Sequence, residues 1–185
     1  MILVGGSYGG LRALATMLRG LPRDFVTPLA VVLHRHKDSD GMLLEMLQRD
    51  CPLPASEPLD KELILPNHLY LAPADYHLMV EGDHFALSVD EPVRYARPSI
   101  DVLFESAADA CGAAAIGVIL SGSNRDGTAG AVRIRDRGGR VIVQDPATCE
   151  APQMSEGVLA EMKPDHVIRA EEIAGALIQF VTEGK

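Results

Sequence analysis

The chain has 185 residues, 47% of them hydrophobic and 23% charged, which suits one compact domain over residues 1–185 with a sizeable core. Its net charge of −9 argues against a general binder of nucleic acid or of anionic membranes, because phosphate is held by Lys and Arg. Three cysteines, Cys51, Cys111 and Cys149, lie far apart with no CxxC pair, which points away from a disulfide framework or a zinc site and fits a reducing cytoplasm. No stretch approaches the roughly 20 apolar residues of a membrane span.

Taken in chain order, residues 2–4 read as a strand that runs into the glycine-rich turn Gly5-Gly6-Ser7-Tyr8-Gly9-Gly10. Leu11, Leu14 and Leu18 then recur at helical spacing. Leu29–Leu33 is a continuous apolar run, the signature of a strand buried on both faces. Asp40 is placed to cap a helix reaching about Gln48. Pro52, Pro54, Pro58 and Pro66 break the next stretch into turns and short extended pieces. Leu69–Leu71 follows as a short strand. Two alternating runs, 77–81 and 84–89, are joined by Gly82-Asp83, so a β-hairpin is expected with Leu78 and Val80 facing Phe85 and Leu87.

Ser99 is placed to cap a helix through Ala110, and 116–120 is a third buried strand. Residues 128–137 are helical and stop at Gly138-Gly139. Then come a strand at 141–143, a helix over 152–162, a short strand at His166–Ile168 and a last helix over 171–182, whose Ile173, Leu177, Phe180 and Val181 make a core stripe. The alternation predicts an α/β fold: a doubly wound, mostly parallel sheet flanked by helices, with a local antiparallel β-hairpin. Such sheets carry their functional residues just beyond the carboxyl ends of the strands, where strand order reverses.

Those strand ends hold a serine, a histidine and an aspartate. Ser7 has glycines two residues before and two after, the G-x-S-x-G spacing of a nucleophile elbow. A glycine-rich turn between strand and helix also serves as a phosphate or dinucleotide cradle. Here a dinucleotide fingerprint starting at Gly5 would need glycine where Ser7 stands, no Walker sequence is present, and the next strand ends in His34 rather than an acid. A serine hydroxyl needs a base to take its proton, neutral imidazole is suited to that, and a carboxylate fixes the tautomer of the ring. Asp126 lies in the glycine-bracketed loop Gly122-Ser123-Asn124-Arg125-Asp126-Gly127. His36 is a rival base, and the alternative role for Asp126 is to cap the helix that follows it. His68, His77, His84 and His166 read as structural or exposed. No metal-ligand spacing occurs, and neither a metal nor a cofactor is expected. Of the arginines crowded into the second half, only Arg97 and Arg125 stand out from a solvated surface.

Five segments then extend the reading: Gly6-Ser7-Tyr8-Gly9-Gly10, Val32-Leu33-His34-Arg35, Leu71-Ala72-Pro73-Ala74-Asp75-Tyr76-His77, Arg97-Pro98-Ser99-Ile100-Asp101-Val102-Leu103-Phe104, and the run from Gly117 to Gly127. In this order they resemble the catalytic domain of the CheB family, the chemotaxis-receptor protein-glutamate methylesterases, over nearly the whole chain. The resemblance implies a cytoplasmic serine hydrolase with Ser7, His34 and Asp126 as its triad. It would remove methyl groups from glutamate γ-methyl esters on the helical cytoplasmic region of chemoreceptors, releasing methanol, and deamidate receptor glutamines as a second activity. It also implies oxyanion donors at the backbone near Tyr8 and Ser123. Arg97 is a candidate to pair with a substrate carboxylate or, structurally, with an internal acid such as Asp101.

Three departures stand out: Tyr8 where a small residue is common, Gly122-Ser123-Asn124 where the family usually has Gly-Met-Gly, and Met154-Ser155 where it has Met-Pro. A receiver domain usually precedes the catalytic domain in that family and is not in this sequence, so either the sequence omits it or this is a stand-alone or differently fused esterase, with a receiver in cis or in trans as a candidate partner. The readings that compete are a Ser-His-Asp hydrolase of another ester or amide, and a non-catalytic α/β binding or sensor module.

Overall fold

A strand that is apolar at every position has to be covered on both faces, and the central strands of this chain are. The computed structural model describes residues 1–35 and 42–183. Its elements in chain order are β1 (Ile2–Gly6), α1 (Gly10–Arg19), β2 (Leu29–Leu33), α2 (Met42–Asp50), β3 (Ala55–Ser56), β4 (Leu69–Leu71), β5 (His77–Glu81), β6 (His84–Ser88), α3 (Ile100–Cys111), β7 (Ile116–Ile119), α4 (Thr128–Asp136), β8 (Arg140–Gln144), α5 (Gln153–Glu161), β9 (His166–Ile168) and α6 (Ala170–Glu183). Seven of the strands form a parallel sheet in the order β3-β4-β2-β1-β7-β8-β9.

Alternation along β1 divides the core in two. Ile2 and Val4 join Leu14, Met17 and Leu18 of α1 and Ile173 and Leu177 of α6 on one face of the sheet. Leu3 joins Ile100, Leu103 and Phe104 of α3, Ile134 of α4 and Val158 of α5 on the other. The hairpin β5–β6 belongs to this second layer, with the pairs Leu78–Leu87 and Val80–Phe85 in register as the alternation predicts. It is fastened to α3 by the Val80 N–H, which donates to Ser106 Oγ at 3.1 Å.

Most elements lie where the sequence puts them, and the differences have simple causes. β1 continues through Gly5 and Gly6, which pair with Val32 and Leu33 of β2, because the ladder tolerates glycine wherever both neighbouring strands are present. β3, a two-residue edge strand on β4, comes from the proline-broken segment, where its pairing depends on a strand distant in sequence. Asp40, the expected cap of α2, lies outside the described residues, as does His36. Arg133 and Arg137 pair with Asp109, Arg135 with Asp165, and Arg140 with Glu183, so these cations form surface ion pairs.

The chain leaves β1 toward β2 on one side and later returns to add β7 on the other. The strand order therefore reverses between β1 and β7, and a crevice opens beyond their carboxyl ends. Two layers press on β1 so closely that its glycines are obligatory. A methyl group on Gly5 would sit 2.4 Å from Cγ2 of the fully buried Ile100. Gly5→Ala is therefore expected to destabilise the protein by about 1–3 kcal/mol, an overpacking cost. Gly175→Ala in α6, where the new methyl meets nothing within 4 Å, should be neutral or stabilising. Urea unfolding midpoints of the two variants check this.

Candidate active site

Ser7 follows directly on β1. Its backbone is pinned from both sides: the N–H donates to Ser121 O at 2.9 Å, and the C=O accepts from Gly10 N–H at 2.8 Å as α1 begins. Gly9 caps that helix at φ 78, in the left-handed region, and a side chain there would strike Glu150 and Ser121 Oγ, each at 2.7 Å. Buried Ser121 locks the turn, donating its hydroxyl to Tyr8 O at 2.8 Å and accepting the Ala151 N–H at 3.0 Å. The loop after β7 leans onto the serine so closely that a Cβ on Gly122 would lie 3.1 Å from Ser7 Cβ. The result is a half-buried hydroxyl at the sheet edge of the crevice, and among the described residues Ser7 Oγ makes no hydrogen bond. The Tyr8 and Ser123 N–H groups are likewise open donors among the described residues. Tyr8 is 66% exposed.

His34 follows β2, with its N–H held by Gly6 O at 3.1 Å, so its backbone is tied to the same turn. Its Nε2 lies 2.7 Å from Asp126 Oδ2. Asn124 Nδ2 lies 3.3 Å from its Nδ1. The Asp126 N–H requires an acceptor and finds Asn124 Oδ1 at 3.1 Å, so the NH2 of Asn124 is the group that faces the ring. An amide nitrogen only donates, hence Nδ1 presents its lone pair and the ring proton sits on Nε2, toward Asp126.

Asp126 is fully buried and surrounded by donors. Besides His34, Oδ2 accepts the Ile100 N–H at 2.7 Å, and Oδ1 accepts the Ser99 hydroxyl at 2.8 Å and the Asp101 N–H at 3.0 Å. The helix that Asp126 precedes, α4, is capped by Gly127 at φ 93. The carboxylate instead completes the N-terminus of α3 alongside its N-cap Ser99, where the helix dipole favours an anion. Burial by itself would push this carboxyl up, but the hydrogen bond from His34 and those from Ile100 and Asp101 outweigh it and hold the group below the ordinary aspartate value. Neighbouring Asp101 goes the other way: burial raises it, and the charge of Asp126 adds to that against the Gly130 N–H and Arg94.

An open cleft of about 500 Å³ lies beside the histidine, lined among others by His34, Arg35, Asp75, Tyr95, Arg97 and Asn124. Arg97 is engaged with Asp75 rather than Asp101, donating Nε and Nη2 to Oδ1 at 3.0 and 2.7 Å, and Nη1 to the carbonyls of Val89 and Asp90. Arg94 is the partner of Asp101. Two supports escaped the sequence reading. His77, read only as structural or exposed, is buried and accepts the Ser99 N–H at Nδ1, steadying the start of α3. Asn124 was visible only as a departure from a family pattern. Among the described residues no group of three His, Cys, Asp or Glu side chains is gathered to hold a metal. Also among the described residues, no helix is long and apolar enough to cross a membrane.

A doubly wound parallel sheet that delivers a serine, an imidazole and a buried carboxylate from neighbouring strand ends belongs with the α/β proteins that carry the parts of a Ser-His-Asp hydrolase. The comparisons with known proteins narrow this. The family model described as CheB methylesterase matches residues 2–177, and the chain belongs to that family. It is 40% identical over 180 residues to a Leptospira interrogans protein named putative protein-glutamate methylesterase/protein-glutamine glutaminase, covering 97% of this chain and 93% of that one. A Thermotoga maritima protein-glutamate methylesterase/protein-glutamine glutaminase is 32% identical over 185 residues, 98% of this chain and 54% of that one, so the chain spans about half of that longer relative. The crystal structure of the Thermotoga maritima CheB methylesterase catalytic domain matches with a TM-score of 0.93 at 32% identity, over 97% of both chains.

Because folding depresses the proton affinity of Asp126, its contribution to stability is complete above the ordinary aspartate value of 3.8 and drains away as the pH falls through the lower folded value. Asp126→Ala strands the Ile100 and Asp101 N–H groups and should cost about 3–5 kcal/mol, the range for breaking a buried charged contact. Thermal midpoints should fall more steeply below pH 3.8 for the native protein than for this variant.

Proposed function

We propose that this chain is a serine hydrolase that demethylates glutamate γ-methyl esters on the cytoplasmic helices of chemoreceptors, with Ser7 as nucleophile, His34 as base and Asp126 as the carboxylate that orients the ring. The observation that carries this reading is the His34–Asp126 contact of 2.7 Å at the strand ends flanking the Ser7 turn, in a chain of the CheB methylesterase family.

In this reading Ser7 Oγ attacks the ester carbonyl while its proton passes to His34 Nδ1. The carbonyl oxygen becomes an oxyanion and receives the Tyr8 and Ser123 N–H groups. The C–O bond to the methoxy group then breaks, and the leaving oxygen takes the proton from the imidazolium and departs as methanol. Water repeats the cycle on the acyl-enzyme and regenerates Ser7 with a free glutamate. Asp126 stays ionised throughout and stabilises the imidazolium as it forms. A glutamine substrate follows the same course with ammonia leaving, which gives the deamidase activity. Arg97, fixed by Asp75, forms part of the wall of the substrate cleft, and Tyr8 is exposed next to the nucleophile. A receiver domain in cis or in trans is the regulator this reading implies, and the cytoplasm is where the receptor helices are met.

Incubation with methyl-labelled chemoreceptor should release methanol. Ser7→Ala should lower that release at least about 10³-fold, the scale of losing a triad member, with the unfolding midpoint unchanged. Turnover of small esters with no methanol from receptor would move the chain to a different ester substrate. Tyr8→Ala should change KM for receptor more than kcat, because an exposed ring next to the nucleophile contributes binding rather than chemistry.

A further inference from the structure

His34 has two nitrogens and three claimants. Nε2 is committed to Asp126 at 2.7 Å. Nδ1 accepts from Asn124 Nδ2 at 3.3 Å. Ser7 Oγ, the group that has to give its proton to this ring, makes no hydrogen bond among the described residues. With Nε2 carrying the ring proton, Nδ1 holds the only lone pair the ring can offer. Asn124 and Ser7 therefore require the same pair of electrons.

We propose that Asn124 is a positioning residue that occupies the basic nitrogen of His34 at rest and yields it to Ser7 when substrate is engaged. This rests on the reading of Ser7 and His34 given above. The asparagine is suited to such a role because its two ends differ in strength. The amide oxygen is anchored two residues along the chain on the Asp126 N–H at 3.1 Å, a short-range turn that fixes the side chain at the entrance to the cleft. The amide nitrogen reaches the ring at 3.3 Å, at the long end of hydrogen-bond range, where the bond is easily given up. The contact lines the cleft itself, so a substrate entering beside His34 and Asn124 meets it directly. Glycine at this position, as in the Gly-Met-Gly pattern, has no side chain to place there.

Two variants separate the ring contact from the support of the loop. Asn124→Ser keeps an oxygen that can accept the Asp126 N–H but is too short to reach the ring. Asn124→Gly removes both contacts. A fluorophosphonate, which forms a bond from phosphorus to Ser7 Oγ and expels fluoride, reports the nucleophile without requiring a receptor. Labelling of Ser7 should be about 2- to 10-fold faster in Asn124→Ser than in the native protein, the worth of one ordinary hydrogen bond. In the same pair, the imidazole ¹⁵N spectrum should show the Nδ1 resonance moving while Nε2, held by Asp126, stays in place. Asn124→Gly should give the same direction in both measurements. Equal or slower labelling of Asn124→Ser overturns the proposal, and so does an unmoved Nδ1 resonance. Absence of Ser7 labelling in every protein overturns the nucleophile assignment, and with it the competition proposed here, even if the resonance moves.

Discussion

A carboxylate without access to water must be ringed by donors or give up its charge, and Asp126 is ringed. That single group ties together the parts of the molecule that chemistry would need. Through Ile100, Asp101 and Ser99 it completes the first turn of α3, and through His34 it fixes a ring carried by β2. Its own backbone belongs to the loop after β7. Helix, ring and loop are thus positioned by one anion, and the anion is kept ionised by the same contacts. The fold's stability and the orientation of the imidazole are consequently one problem, and a change to Asp126 is felt by both.

The second constraint is space. α3 lies so close to β1 that Gly5 cannot carry a side chain, and one on Gly122, in the loop after β7, would run into Met154 and crowd Ser7 Cβ at 3.1 Å. Crowding of this kind sets the backbone of the turn without any contact from the serine side chain. Ser121 adds to it by bonding the carbonyl of Tyr8 from beneath. The hydroxyl of Ser7 is thereby held in place but unengaged among the described residues, as is the Tyr8 N–H, while the Tyr8 side chain is turned outward. A nucleophile needs both conditions: a fixed backbone and a hydroxyl with no competing partner.

Much of this was legible before any coordinates. Unbroken apolar runs located the buried strands, the Gly-Asp pair located the hairpin, and Ser99 was read correctly as a helix cap. Ser7, His34 and Asp126 were picked out because each follows a predicted strand, which is where a doubly wound sheet exposes its loops. The reading was weaker wherever a residue's meaning depends on a distant partner. The rival role for Asp126, a cap for α4, is taken by Gly127, and the carboxylate completes α3 instead. Arg97 was offered Asp101 and takes Asp75. β3 is invisible as a strand until β4 is placed beside it. Asn124 registered only as a departure from a family pattern, although it touches the ring of His34.

By itself, then, the sequence determined the alternation of elements, the turn that carries Ser7 and the family to which the chain belongs, because these are written in local periodicity, in turn chemistry and in short motifs. Only the tertiary structure decided which helix Asp126 serves, which acid holds Arg97 and which nitrogen of His34 is left with a lone pair. Those outcomes depend on the order of strands across the sheet. The reversal between β1 and β7 brings the loop from Gly122 to Gly127 against His34, and no local pattern in either segment records that meeting.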